Sequence, residues 1–181
     1  MKHHVVHKLY WDFEKEERWL NEMAAKGQAL VRHTWGTYAF EPSTPGEWIY
    51  RIELLPQGLG KPASQQYLAF AAEAGLQTVA TQQRWVYFRK AGAEGPFELF
   101  SDRDSRIAHY RRVLALFTSL FAALVPIIAS NVLNSAGGRL PLVLAYPVFA
   151  LLFTVEVILA TQAVRVARRL RPLEAEQHLF E

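Results

Sequence analysis

The chain has 181 residues, 20 Lys and Arg against 17 Asp and Glu, and no cysteine. The missing cysteines exclude disulfide staples, thiolate nucleophiles and Cys-ligated zinc. The basic balance does not mark a nucleic-acid-binding domain, because its charge is unevenly spread: residues 1–102 carry 11 basic and 12 acidic residues, whereas 103–171 carry nine Arg, no Lys and two acids.

The N-terminus, Met1-Lys2-His3-His4, lacks the apolar run of a signal peptide, so no export of the first segment is expected. His3, His4 and His7 raise a metal reading. Alternation puts His3 and His7 on one strand face and His4 on the other, so polar strand-end residues are the expectation and no metal or cofactor is implied.

Residues 1–102 contain a repeat. Shifted by 48, Leu20 falls on Leu68, Ala24 on Ala72, Gly27 on Gly75, Val31 on Val79 and Phe40 on Phe88. In the first copy a strand is expected at His4–Tyr10. Asp12 then caps a helix whose first turn holds Glu14, Glu16 and Glu17, favourable against the helix dipole. Leu20, Met23, Ala24 and Gly27 follow helical spacing, and Gly27 ends the helix. Asn21 reads as helix-surface polarity. Strands follow at Ala29–His33 and Thr37–Glu41.

The second copy begins with a strand at Trp48–Leu55. Its helix starts at Ser64 or at Lys61-Pro62 and ends at Gly75, with strands at Gln77–Thr81 and Arg84–Lys90. The class is α+β: a tandem βαββ domain, expected to be ferredoxin-like with both helices on one face of its sheet. Related six-strand arrangements are the alternative.

That plan leaves one sheet face unexplained. Trp48, Tyr50, Ile52 and Leu54 share a face of their strand, and Trp85, Tyr87 and Arg89 share a face opposite Val86 and Phe88. Both faces are aromatic. Either the second face packs on another part of the assembly, such as the membrane hairpin or a second subunit, or Trp48, Tyr50, Trp85, Tyr87 and Arg89 form a partner surface.

Two apolar runs follow, at 113–133 and 140–164. Twenty-one helical residues span ~31 Å, the thickness of a bilayer hydrocarbon core. The loop Asn134–Arg139 makes them a transmembrane hairpin within 103–171, leaving 172–181 as a tail. Asp102 and Ser105 read as the cap of the helix that enters the first span. Arg103, Arg106, Arg111 and Arg112 precede the first run, Arg165, Arg168, Arg169 and Arg171 follow the second, and the loop has Arg139 alone. The positive-inside rule then puts both termini in the cytoplasm of a cell-membrane protein. Arg106, Arg111, Arg112, Arg165, Arg168 and Arg169 are the expected lipid-headgroup contacts.

Glu156 lies ~12 Å inside the second run, where a carboxylate is costly and commonly functional. It reads as a neutral carboxyl bonded to a neighbouring helix, as an ion or substrate contact, or as a shallow, water-exposed group. A pairing with Thr154 or Gln162 of a neighbour would make it an oligomer contact.

The stretch Trp11-Asp12-Phe13-Glu14-Lys15-Glu16-Glu17-Arg18-Trp19-Leu20-Asn21-Glu22-Met23-Ala24-Ala25-Lys26-Gly27 resembles the bacterial domain-of-unknown-function family DUF2812. So do Gly46–Ile52, Glu73-Ala74-Gly75, Trp85–Lys90 and Leu99–Asp102 with Ser105 and Tyr110. The resemblance covers roughly residues 5–112; Leu76 departs from it where Trp is expected. It implies C-terminal membrane helices and a regulatory partner, such as the PadR-type transcriptional regulators often encoded beside family members. It carries over no catalytic residue.

No phosphate loop, nucleophile elbow, dinucleotide fingerprint or metalloprotease helix is present. The expectation is a membrane-anchored, non-enzymatic regulatory or sensory protein that binds a protein partner or its own copies, and no nucleic acid directly. The alternatives are a small oligomeric transport or efflux component using Glu156, and an enzyme on a membrane-delivered substrate.

Overall fold

The computed structural model describes residues 4–100, 102–137 and 141–177. His3 and the loop residue Arg139 lie outside them, as does the end of the tail. The chain divides into two compact units, Met1–Asp102 and Arg103–Glu181.

The first unit runs β1 (His4–His7), α1 (Phe13–Ala25), β2 (Gln28–Thr34), β3 (Thr37–Pro42), β4 (Trp48–Leu54), α2 (Pro62–Glu73), β5 (Gln77–Gln82) and β6 (Trp85–Ala91), followed by a short 3-10 turn. Each half is a βαββ unit, and each makes its own antiparallel sheet, ordered β1-β3-β2 and β4-β6-β5. β2 runs beside β5. β1 is shorter than expected because its partner runs out: His7 pairs with Thr37, the first residue of β3.

Local chemistry sets the helix ends. The Asp12 carboxylate accepts from the Glu14 and Lys15 amides at 3.1 and 3.4 Å. After α1 the chain turns at Gly27, φ +74°, where a Cβ would stand 2.8 Å from the Ser43 carbonyl oxygen. For α2 the structure selects Pro62 over Ser64 as the start, with Pro in the first turn, where its missing N–H costs nothing.

The helices do not share a sheet face. Leu20 and Ala24 of α1 pack with Leu30, Tyr38 and Phe40 of the first sheet and with Tyr50, Ile52 and Tyr87 of the second. Ala71 of α2, with Tyr67 and Leu68, packs on Val86, Phe88 and Leu55. Because strand side chains alternate, these are opposite faces of the second sheet. Its two aromatic faces are thereby explained: α2 covers one, and α1 with the first sheet covers the other.

The second unit is two helices, α3 (Arg103–Ala136) and α4 (Leu142–Gln177), packed along each other. Arg111 bonds Glu174 at 2.7 Å and Arg103 meets Glu176 at 3.2 Å, tying the start of α3 to the end of α4. Both helices are long and apolar enough to cross a membrane, and only 11% of the most apolar stretch of each is buried. A core helix of a water-soluble domain would be mostly covered.

Candidate functional site

The polar interior of the first unit is organised by α1. Glu16, Leu20 and Ala24 stand at i, i+4 and i+8, so the carboxylate lies on the buried stripe. One Glu16 oxygen accepts from the Tyr38 hydroxyl at 2.7 Å and the Tyr87 hydroxyl at 2.8 Å. His33 stacks on Tyr38 with ring centroids 4.2 Å apart and meets Tyr87 edge-on at 4.7 Å. Neither ring nitrogen of His33 has a hydrogen-bond partner among the described residues.

Burial sets the proton affinities here. It raises the Glu16 carboxyl above its ordinary value, with the two tyrosine hydroxyls pulling the other way. It lowers His33 to about 4, which leaves the imidazole neutral at neutral pH. Burial first, then the Glu16 charge, pushes both tyrosines upward, so they act as hydrogen-bond donors.

A second set of α1 side chains serves β4, an edge strand of its sheet. The Asn21 amide donates to the Tyr50 carbonyl at 3.0 Å and accepts from the Tyr50 N–H at 2.8 Å. Glu17 accepts from the Ile52 N–H at 2.9 Å, and the Tyr50 hydroxyl accepts from the Leu30 N–H at 2.8 Å. Asn21 is thus a strand-edge mimic rather than helix-surface polarity.

This arrangement corrects the partner-surface expectation. Tyr50 and Tyr87 are buried core residues, while Trp48 and Trp85 are half-buried against the same core. Arg89 lies over the Trp48 ring at 4.1 Å and bonds Gln77. The domain's own first repeat packs on that face. Of the five residues, Trp48 and Arg89 form an accessible pair at the rim.

On α4, Glu156 is 9% exposed, on a buried stripe with Leu159, Gln162, Val166 and Leu170. Its Oε2 has no hydrogen-bond partner among the described residues. Thr154 is exposed, and its hydroxyl bonds the Ala150 carbonyl of its own helix. Of the headgroup arginines, Arg106, Arg111, Arg165 and Arg168 are exposed and Arg112 and Arg169 half-buried, with Arg111 engaged by Glu174. Among the described residues no group of three or more His, Asp or Glu could hold a metal; His7 instead bonds the Thr37 hydroxyl at 3.1 Å.

One exposed cluster escapes sequence reasoning. Trp35 and Gly36 form the two-residue turn between β2 and β3, with φ +40° and +72°. Trp35 is 70% exposed and Leu9 75% exposed, with Trp11 and Val5 each at 47%. Leu9 lies against Gly36, and the Lys8 N–H donates to the Gly36 carbonyl at 2.8 Å. A left-handed backbone costs a non-glycine residue about 1–2 kcal/mol, and Asn suits the first position of such a turn far better than Trp. The signal was present as Trp-Gly between two strands.

A family model described as a protein of unknown function (DUF2812) matches residues 12–122. The match starts at the cap of α1 and runs past the first unit into α3. No curated protein and no solved structure matches the chain.

Proposed function

The chain belongs to the DUF2812 family, and from that premise we propose a membrane-anchored, non-enzymatic regulatory or sensory protein whose N-terminal domain binds a protein partner at the cell-membrane surface. α3 and α4 form the transmembrane hairpin, with both termini in the cytoplasm. The tandem βαββ unit is a ferredoxin-like variant in which two halves enclose one helix. The first partner to test is a PadR-type transcriptional regulator, the kind of protein that the family resemblance implies.

One observation carries this reading: the apolar stretches of both helices are uncovered, while eight of the nine arginines of 103–171 flank their outer ends. Such a surface suits a bilayer, and its charge pattern supports the orientation with both termini inside. Reporters fused after Glu181 and within the Asn134–Arg139 loop test it. The first should read cytoplasmic and the second external; an external signal at Glu181 would overturn the orientation. In-cell crosslinking of the full chain then tests the partner: capture of the regulator, reduced by Trp48→Ala with Arg89→Ala, is the expected outcome.

The buried, unmatched Glu156 oxygen favours a second reading, a small oligomeric transport component in which this carboxyl meets the transported species.

A further inference from the structure

We propose that the β2–β3 turn, with Trp35 at its tip and Leu9 and Trp11 beside it, is an interfacial anchor that seats the N-terminal domain in the headgroup layer of an anionic bilayer. The inference rests on the membrane reading above and adds a second, independent point of membrane contact.

Four observations converge. The most exposed large apolar side chains of the domain, Leu9 and Trp35, are neighbours through Gly36. Trp35 occupies a strained position that Asn would fill without strain, so the choice of Trp serves something other than the turn. Basic residues predominate nearest the tip: residues 1–11 and 28–40 hold Lys2, Lys8 and Arg32 and no Asp or Glu, the nearest acids being Asp12 and Glu41 at their borders. Val5 and Arg32 are exposed on either side of the buried Ala39 in one cross-strand row, an apolar and a basic side chain on the sheet that carries the tip.

The occupant follows from this chemistry. Trp favours the membrane–water interface, where its ring is apolar and its N–H reaches polar groups. A local excess of basic residues complements anionic headgroups. The domain and α3 belong to one chain, which divides between Asp102 and Arg103. Binding of the tip is therefore intramolecular once the hairpin is inserted, and a few apolar side chains suffice.

The absence of cysteine makes the test direct. The full chain is placed in nanodiscs of phosphatidylglycerol containing brominated lipid, with a fluorophore at one introduced cysteine: Thr34→Cys at the tip, Glu73→Cys at the end of α2, or Val125→Cys within the apolar part of α3. Lipid should quench the labels at 34 and 125 and spare the label at 73. Trp35→Asn should abolish quenching at 34, retain it at 125, and leave the domain at least as stable, since Asn-Gly suits the turn. This opposition separates anchoring from folding. Quenching at 125 without quenching at 34 overturns the anchor and leaves the membrane reading intact; no quenching at 125 overturns both. Equal quenching at 34 and 73, or quenching at 34 that persists in Trp35→Asn, also overturns the anchor. So does a label at 34 shielded from aqueous quencher but not reached by lipid, which would assign the tip to a second copy or a protein partner.

Discussion

Asn21 binds Tyr50 at both of its backbone polar groups, so a helix side chain stands where a neighbouring strand would otherwise pair. A strand edge otherwise leaves such groups to water or to another chain. The contact joins the two repeats across 29 residues of sequence.

Replacing this clamp should be costly. Asn21→Ala removes three hydrogen bonds, two with the Tyr50 backbone and one to the Glu17 carbonyl, and leaves part-buried backbone groups without partners, a loss of about 2–3 kcal/mol. Asn21→Asp keeps the acceptor for the Tyr50 N–H but loses the donor to its carbonyl, and should also destabilise. Denaturant unfolding followed by aromatic circular dichroism measures both; a midpoint unchanged in Asn21→Ala would show that the clamp contributes nothing.

Acid should act on the domain through His33. Its folded value of about 4 lies below its ordinary 6.5, so the unfolded chain takes up the proton first. Its contribution is present above pH 6.5 and is lost as pH falls towards 4, about 3 kcal/mol in all. Glu16, raised by burial, works oppositely: its contribution is complete below its ordinary value and declines as pH rises. Comparing the pH slope of stability in the parent and in His33→Phe isolates the histidine. Identical slopes between pH 4 and 6.5 would remove it as the cause.

Glu16 itself should tolerate one change and not another. Glu16→Gln keeps a carbonyl oxygen for the hydroxyls of Tyr38 and Tyr87, with a small effect. Glu16→Leu strands two buried hydroxyls and should cost about 2–4 kcal/mol. Thermal unfolding of the three proteins checks the order; a leucine variant as stable as the glutamine one would refute the network's importance.

In the hairpin, Glu156→Leu should insert at least as well as the parent, because transfer scales put a central intramembrane charge at roughly 2.5–3.5 kcal/mol. Membrane abundance and oligomer size, compared across the parent, Glu156→Gln and Glu156→Leu, give the answer. A change of oligomer state in Leu alone marks a packing carboxyl. A transport defect in Gln marks a titrating one, and no change in either removes Glu156 from function.

The repeat, the Asp12 cap and the two apolar runs were legible because each depends on spacing within a short window. The role of Glu16 was harder to see, since three acids in one helix turn satisfy the dipole equally. Only its alignment with Leu20 and Ala24 distinguishes it. Alternation showed that β4 and β6 are apolar on both sides, but not that α1 covers one of them, because that pairing joins residues distant in sequence. Trp35 was visible as a residue, yet its strain exists only once the turn is closed.

The sealed edge of β4 bears on where this molecule can be cut. A duplicated sequence invites division between its halves, here near Pro45, into two modules of similar plan. The first fragment would lose the surface on which Leu20 rests and the second would expose a bare strand edge, so neither piece is a usable module. The repeat marks how the sequence is written, whereas the core and the covered edge of β4 are built by the pair.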